Sequence, residues 1–143
     1  MAYDRADWHY GGDYPAELPP ENGGTHIGMF LAWVILHELE GELHQENSAE
    51  ALTAVRARTM TGREFLTREC DEKFWEEDLN AEANAFAHWY YEGNALYLED
   101  YERVLGDSVE TLYHVADTWQ NYDLLAVVID ERFAEWQQRV AAS

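Results

Sequence analysis

Cysteine, proline and basic residues are all scarce in this chain, and each scarcity excludes something. The single thiol, Cys70, cannot form an intramolecular disulfide, and its solitude excludes a Cys-based zinc site. The three prolines, Pro15, Pro19 and Pro20, all precede the first apolar segment, so no proline interrupts a helix after that point. Long apolar runs are missing too. The longest spans residues 29–36, far short of the roughly 20 residues that cross a bilayer. The opening MAYDRADWHY has neither a basic nor an apolar leader segment, so a cytoplasmic location is expected.

Nine Lys and Arg stand against 29 Asp and Glu, for a formal charge of −20 in 143 residues. Contact with nucleic acid backbone or an anionic membrane needs basic surface, so neither is expected as a partner. A basic protein, approached under electrostatic steering, suits this charge better. Five of the nine bases fall within residues 56–73, which predicts one nearly neutral side on an otherwise negative molecule. The acid is densest at 38–50, 76–82 and 99–110.

What the chain does contain is apolar and aromatic mass: 47% hydrophobic and 14% aromatic residues, enough for a globular core in one domain. Residues 1–24 carry all the prolines and four glycines and read as an irregular arm, pinned by Trp8, Tyr10, Tyr14 and Leu18. Residues 25–45 read as one helix with Thr25 as N-cap, apolar on every side over 29–36 and therefore buried. Further helices are expected over 48–58 and 62–75, the second opened by the capping box Thr61-Gly62-Arg63-Glu64. Others are expected over 79–92 and 95–105. A last helix, from Asp117 or Thr118 to about Val140, has Tyr122, Leu125, Ala126, Ile129, Phe133 and Trp136 on one stripe. Residues 109–115 have strand propensity but no partner strand, so an extended connector is expected. The fold class is all-α: an irregular, single-domain helical bundle over residues 1–143 with an extended aromatic N-terminal arm.

On a continuous helix, His37, Glu40 and His44 at i, i+3 and i+7 lie within roughly 60° of one another. Two imidazoles and a carboxylate on one face are metal-ligand chemistry, with Gly41 leaving room for an ion. The spacing is not that of HExxH, and no second Glu-x-x-His is present to make a di-iron bundle. A solvated helix end with a Glu40–His44 pair explains the same residues, and no cofactor is expected. His26 is expected to brace the arm, and His88 to pack in its helix. No Ser, Thr or Cys stands in a nucleophile elbow, and no glycine-rich phosphate loop follows a strand. The remaining candidates are acidic stretches interleaved with aromatics: Trp75, Glu76, Glu77, Asp78 and Glu82, and Glu99, Asp100, Tyr101 and Glu102. Such strings suit a surface that plugs a basic cleft, with rings as hot spots. An amphipathic helix with its aromatics inward is the plainer reading of each stretch taken separately.

The strings WHYGGDYP at residues 8–15 and THIGMFLAW at 25–33 resemble a family of small, uncharacterised bacterial proteins. The likeness continues through residues 70–74, 113–115, 121–122 and 132–136, and so covers nearly the whole chain. It brings no activity or catalytic residue. In size and charge the chain also resembles, more loosely, the immunity proteins that neutralise bacterial toxins. The expected function is therefore an acidic, non-enzymatic inhibitor of a basic toxin or effector. The alternative is a metal-dependent enzyme built on His37, Glu40 and His44.

Overall fold

The structure is a computed structural model that describes residues 2–5, 17–18, 20–93, 96–106 and 109–142. It is mostly helical. Strand β1 (Ala2–Arg5) is followed by a 3-10 turn at Pro20–Gly24 and then by helices α1 (Thr25–Leu36), α2 (Glu42–Asn47), α3 (Ala49–Arg56) and α4 (Gly62–Glu69). Strand β2 (Lys73–Trp75) and a 3-10 turn at Glu76–Asp78 lead into α5 (Ala81–Ala87), whose end widens into a π-helical turn, His88–Gly93. Helix α6 (Leu96–Leu105), a 3-10 turn at Leu112–His114 and the long α7 (Trp119–Ala142) complete the order.

Helix α1 is the centre. Every residue from Thr25 to Ile35 is buried, as an all-round apolar helix requires. It crosses α4 at backbone contact. A Cβ on Gly28 would lie 2.3 Å from the Arg63 nitrogen, and one on Gly62 would lie 1.7 Å from the Gly28 oxygen. Around the rest of α1 the rings close ranks. Phe30 lies 5.3–6.3 Å, centroid to centroid, from Phe74, Phe86, Tyr90, Tyr91 and Tyr97, at angles that suit their quadrupoles. Trp33 meets Phe86 and the Phe133 ring of α7.

Helix α1 stops earlier than the spacing of its residues suggests. Glu38 turns left-handed at φ 58°, the Glu38 amide donates to Ile35 O and the Leu39 amide to Val34 O. That is a Schellman ending with Glu where glycine is usual. The same device ends α3 at Arg58, φ 62°, with bonds to Val55 O and Ala54 O. Two successive left-handed residues, Asp71 and Glu72, end α4 at residue 69, so the helix expected over 62–75 is two elements. The expected box at Thr61 is present: Glu64 N donates to the threonine hydroxyl and Thr61 N to the Glu64 carboxylate. The expected cap at Thr25 is absent: Thr25 is the first residue of α1 itself, and Gly24 before it makes no side-chain cap.

The start of the expected arm is a strand. Strands β1 and β2 pair antiparallel, Asp4 opposite Phe74 and Arg5 opposite Lys73, with a bulge between Ala2 and Asp4. Two short strands alone are marginal, and side chains secure these. Tyr91 OH donates to Asp4 Oδ2 (2.6 Å), and His26 Nε2 lies 2.9 Å from the same oxygen, so His26 does brace the arm. Tyr3 OH donates to Asn84 Oδ1 (2.6 Å). Of the expected anchors, Leu18 is half-buried, while Trp8, Tyr10 and Tyr14 lie outside the described residues. Residues 112–114 form a 3-10 turn rather than an extended connector.

The bases are matched to acids inside the fold. Arg56 pairs with Glu40, Arg58 with Asp123, and Arg63 with Asp117. On α6, Asp100 is 1% exposed and accepts from Tyr90 OH (2.7 Å), from Arg132 through both oxygens (2.9 and 3.1 Å) and from Arg103 (3.2 Å). Burial alone would raise this carboxyl. The bonds from Arg132, Tyr90 and Arg103 together outweigh it and hold Asp100 below the usual carboxylate range.

Gly28→Ala or Gly62→Ala should each lower the free energy of unfolding by about 3 kcal/mol or more, read as a shifted denaturation midpoint, because backbone opposes backbone at that crossing. Asp100→Asn should destabilise by roughly 3 kcal/mol at neutral pH. A depressed native pKa contributes stability above the unfolded-state value and loses it as pH falls through the native value. Melting curves of the two proteins should therefore converge in acid and stay apart above the usual carboxylate range.

Candidate functional site

Three segments that are distant in sequence meet at one polar cluster. The stretch after α1 is zipped to the turn after β2: Glu40 bridges Leu79, Gly41 N donates to Asp78 O (2.9 Å), and Asn80 N to Leu39 O (2.9 Å). Gly41 allows this approach, since a Cβ there would sit 2.1 Å from Glu77 O. The space it frees is taken up by the Glu77 and Leu79 carbonyls, so Gly41 does not leave room for an ion there. Helix α2 then carries His44 inward, while the left-handed pair Asp71-Glu72 turns the chain so that Cys70 and Asp78 face it.

His44 and Asp78 are buried, and Cys70 is partly so. His44 Nε2 is 2.6 Å from Asp78 Oδ1, Cys70 Sγ is 3.7 Å from the same Nε2, and Sγ is 3.5 Å from the same Oδ1. His44 and Asp78 are held from behind. Ser48 Oγ lies 3.1 Å from His44 Nδ1, Trp75 N donates to Asp78 Oδ2 (2.6 Å), and Phe65 meets the imidazole edge-on at 4.9 Å.

This is not a nucleophile relay. A Cys-His-Asp triad uses the two imidazole nitrogens for different partners; here thiol and carboxylate share Nε2. Burial, followed by the Asp78 charge and its hydrogen bond, pushes the Cys70 thiol far above its ordinary value, the reverse of thiolate activation.

Cys70 and Asp78 border a recess of about 390 Å³, also lined by Leu43, Glu69, Asp71, Trp75 and Glu77. Leu43 is 48% exposed and Trp75 36%, so two large apolar side chains flank an acidic rim. A wider groove of about 650 Å³ runs along residues 46–51 and is closed by Ala54, Met60, Arg68 and Glu69. Glu17, Glu110 and His114 form a second acid–imidazole group, with both carboxylates exposed.

The residues singled out in the sequence part company here. His37, Glu40 and His44 do not share a face, because the helix supposed to carry them ends at Leu36. His37 stacks on Trp33 at 4.3 Å and lies 3.1 Å from Asp130. Glu40 is buried with Oε2 on Arg56 (2.9 Å), and its Oε1 has no hydrogen-bond partner among the described residues. Only His44 joins a ligand-like cluster, with partners that sequence spacing did not indicate. The exclusion of every Cys-based zinc site on the ground of a single cysteine goes too far: one thiol rules out sites needing two thiolates but leaves a mixed N, S, O set open, and His44, Cys70 and Asp78 bring such a set together. Among the acidic candidates, Trp75, Glu77 and Glu82 are exposed and Glu76 is partly so, whereas Asp78 is turned inward. On α6, Glu99 and Glu102 face outward, but Asp100 and Tyr101 are buried, Asp100 against Arg132 of α7 and Tyr101 beside the His26 ring of α1. Asp100 and Tyr101 cannot touch a partner directly. His114 contacts Thr111, Glu17 and Glu110.

Among the described residues, no helix is long and apolar enough to cross a membrane. No curated protein and no solved structure matches the chain. Over residues 2–115, most of its length, the chain matches the family described as a domain of unknown function, DUF7832, and it belongs to that family.

Proposed function

We propose that this protein is a binding module that docks a basic protein through the acidic face around Trp75. The observation that carries this reading is the exposed pair Leu43 and Trp75 on either side of a recess whose other lining residues include Glu69, Asp71 and Glu77. An apolar anchor within a field of one charge is the composition of an interface hot spot with a steering rim. Glu76 and Glu82 extend the same field, and Glu42 and Glu46 continue it along the exposed side of α2. The stretch on α6 supplies charge through Glu99 and Glu102 but no ring, since Tyr101 is in the core.

Within this reading the partner is a basic toxin or effector, and the module is an immunity-type inhibitor that covers its cleft or an adjacent face. Two features favour this over a catalytic role. The −20 charge suits a basic cleft, and the thiol and carboxylate of the cluster share one imidazole nitrogen instead of forming a nucleophile relay. The site on His37, Glu40 and His44 has no support, since each residue has a different partner.

The test is co-purification and inhibition with the product of the adjacent gene. A complex with a nanomolar Kd is expected at low salt, weakened by about tenfold or more as ionic strength passes from about 0.05 to 0.5 M. Trp75→Ala should raise Kd by about 30-fold, the effect of a hot-spot ring, while Leu124→Ala on the exposed part of α7 should leave it unchanged. A purified effector that keeps full activity in excess of this protein would refute the inhibitory reading.

A further inference from the structure

We propose that His44 Nε2, Cys70 Sγ and Asp78 Oδ1 form a mononuclear Zn2+ site whose fourth position faces the recess lined by Leu43 and Trp75. Tetrahedral zinc with ordinary Zn–N, Zn–S and Zn–O lengths separates S from N by about 3.5 Å, S from O by about 3.5 Å and N from O by about 3.3 Å. The first two separations are already present, at 3.7 and 3.5 Å. The third, 2.6 Å, is a hydrogen bond that opens by about 0.7 Å when an ion replaces the shared proton.

The arrangement behind the ligands points the same way. Zinc-bound imidazoles have the second nitrogen fixed by an outer group, and Ser48 Oγ stands at His44 Nδ1. A hydroxyl both donates and accepts, so Ser48 serves the tautomer with a proton on Nε2 and, after metal entry, the one with its proton on Nδ1. Trp75 N holds Asp78 Oδ2 and leaves Oδ1 for the ion. A neutral imidazole, one thiolate, one carboxylate and Zn2+ sum to zero charge, which suits a buried site. One proton leaves Cys70 for solvent as the S–Zn bond forms, and the His44 proton moves from Nε2 to Nδ1. Three protein ligands of mixed type, with a water in the fourth place, match the open class of zinc site rather than the closed four-thiolate class. The soft thiolate selects Zn2+ over Mg2+ or Ca2+.

The inference goes beyond the partner reading and does not need it, since its readout involves no partner. The full chain, free of any histidine tag and stripped of metal with a chelator, is titrated with Co2+ and then with Zn2+. One Co2+ per chain is expected, with a thiolate-to-cobalt charge-transfer band in the near ultraviolet and the intense visible bands of a tetrahedral site, all displaced by one Zn2+. Cys70→Ser should abolish the charge-transfer band and weaken Zn2+ binding by about 100-fold or more, whereas Ser48→Ala should keep the band and weaken binding by about tenfold. The wild-type cobalt spectrum reports thiolate coordination without any substitution, so the test stands even where a variant fails to fold. Saturating Co2+ without a charge-transfer band overturns the site, as does unchanged affinity in folded Cys70→Ser.

Discussion

The approach of backbone to backbone at Gly28 and Gly62 is the constraint on which the rest of the molecule depends. An apolar helix buried on every side must be enclosed, and the enclosing helices other than α7 are ten residues or shorter. With no side chain between α1 and α4, α4 sits close enough for Phe65 and Leu66 to enter the core, and its last turn ends beside α2. The other faces of α1 are then free for the ring cluster from α5, the π-turn and α6, and for α7. A methyl group at the crossing would displace α4, and with it Cys70 and the strand that follows.

The polar cluster inherits its geometry from this frame and from two backbone departures. The left-handed Glu38 releases the chain from α1 so that α2 can point His44 inward. The left-handed pair Asp71 and Glu72 reverses it again after α4. Such conformations cost about 1 kcal/mol or more each for a residue with a side chain, so the surrounding contacts must hold them. Here the bridge from Glu40 to Leu79 and the bonds at Gly41 and Asn80 do so. The outcome is a site whose three groups are 26 and 8 residues apart in sequence yet share two short sides of a triangle.

Much of the fold was legible because it rests on local chemistry. The all-round apolar 29–36 segment announced its own burial, the Thr61 box announced α4, and the stripe from Tyr122 to Trp136 announced α7. The missed boundaries share one cause. Helices α1, α3 and α4 all stop at left-handed residues that are not glycine, so the usual stop signal is absent at Glu38, Arg58 and Asp71. That error propagated to the candidate site, because the spacing of His37, Glu40 and His44 has meaning only on a continuous helix. Strand β1 was invisible because its partner, Lys73–Trp75, had been read as the end of a helix. Nothing local links Cys70 or Asp78 to His44; the link is made only by tertiary structure.

The matching of bases to acids within the fold has a consequence for the whole molecule in salt. Arg56, Arg58, Arg63, Arg103 and Arg132 all have carboxylate partners on the chain itself, so the surplus of acid meets few counter-charges of its own. Added electrolyte then works in two opposite directions. It relaxes the mutual repulsion of the outward carboxylates and favours the compact state, and it dulls the long-range pull on a cationic visitor. The conditions under which this chain is most robust in isolation are therefore those under which it is least attractive to a basic partner, a trade set by the direction in which its arginines point.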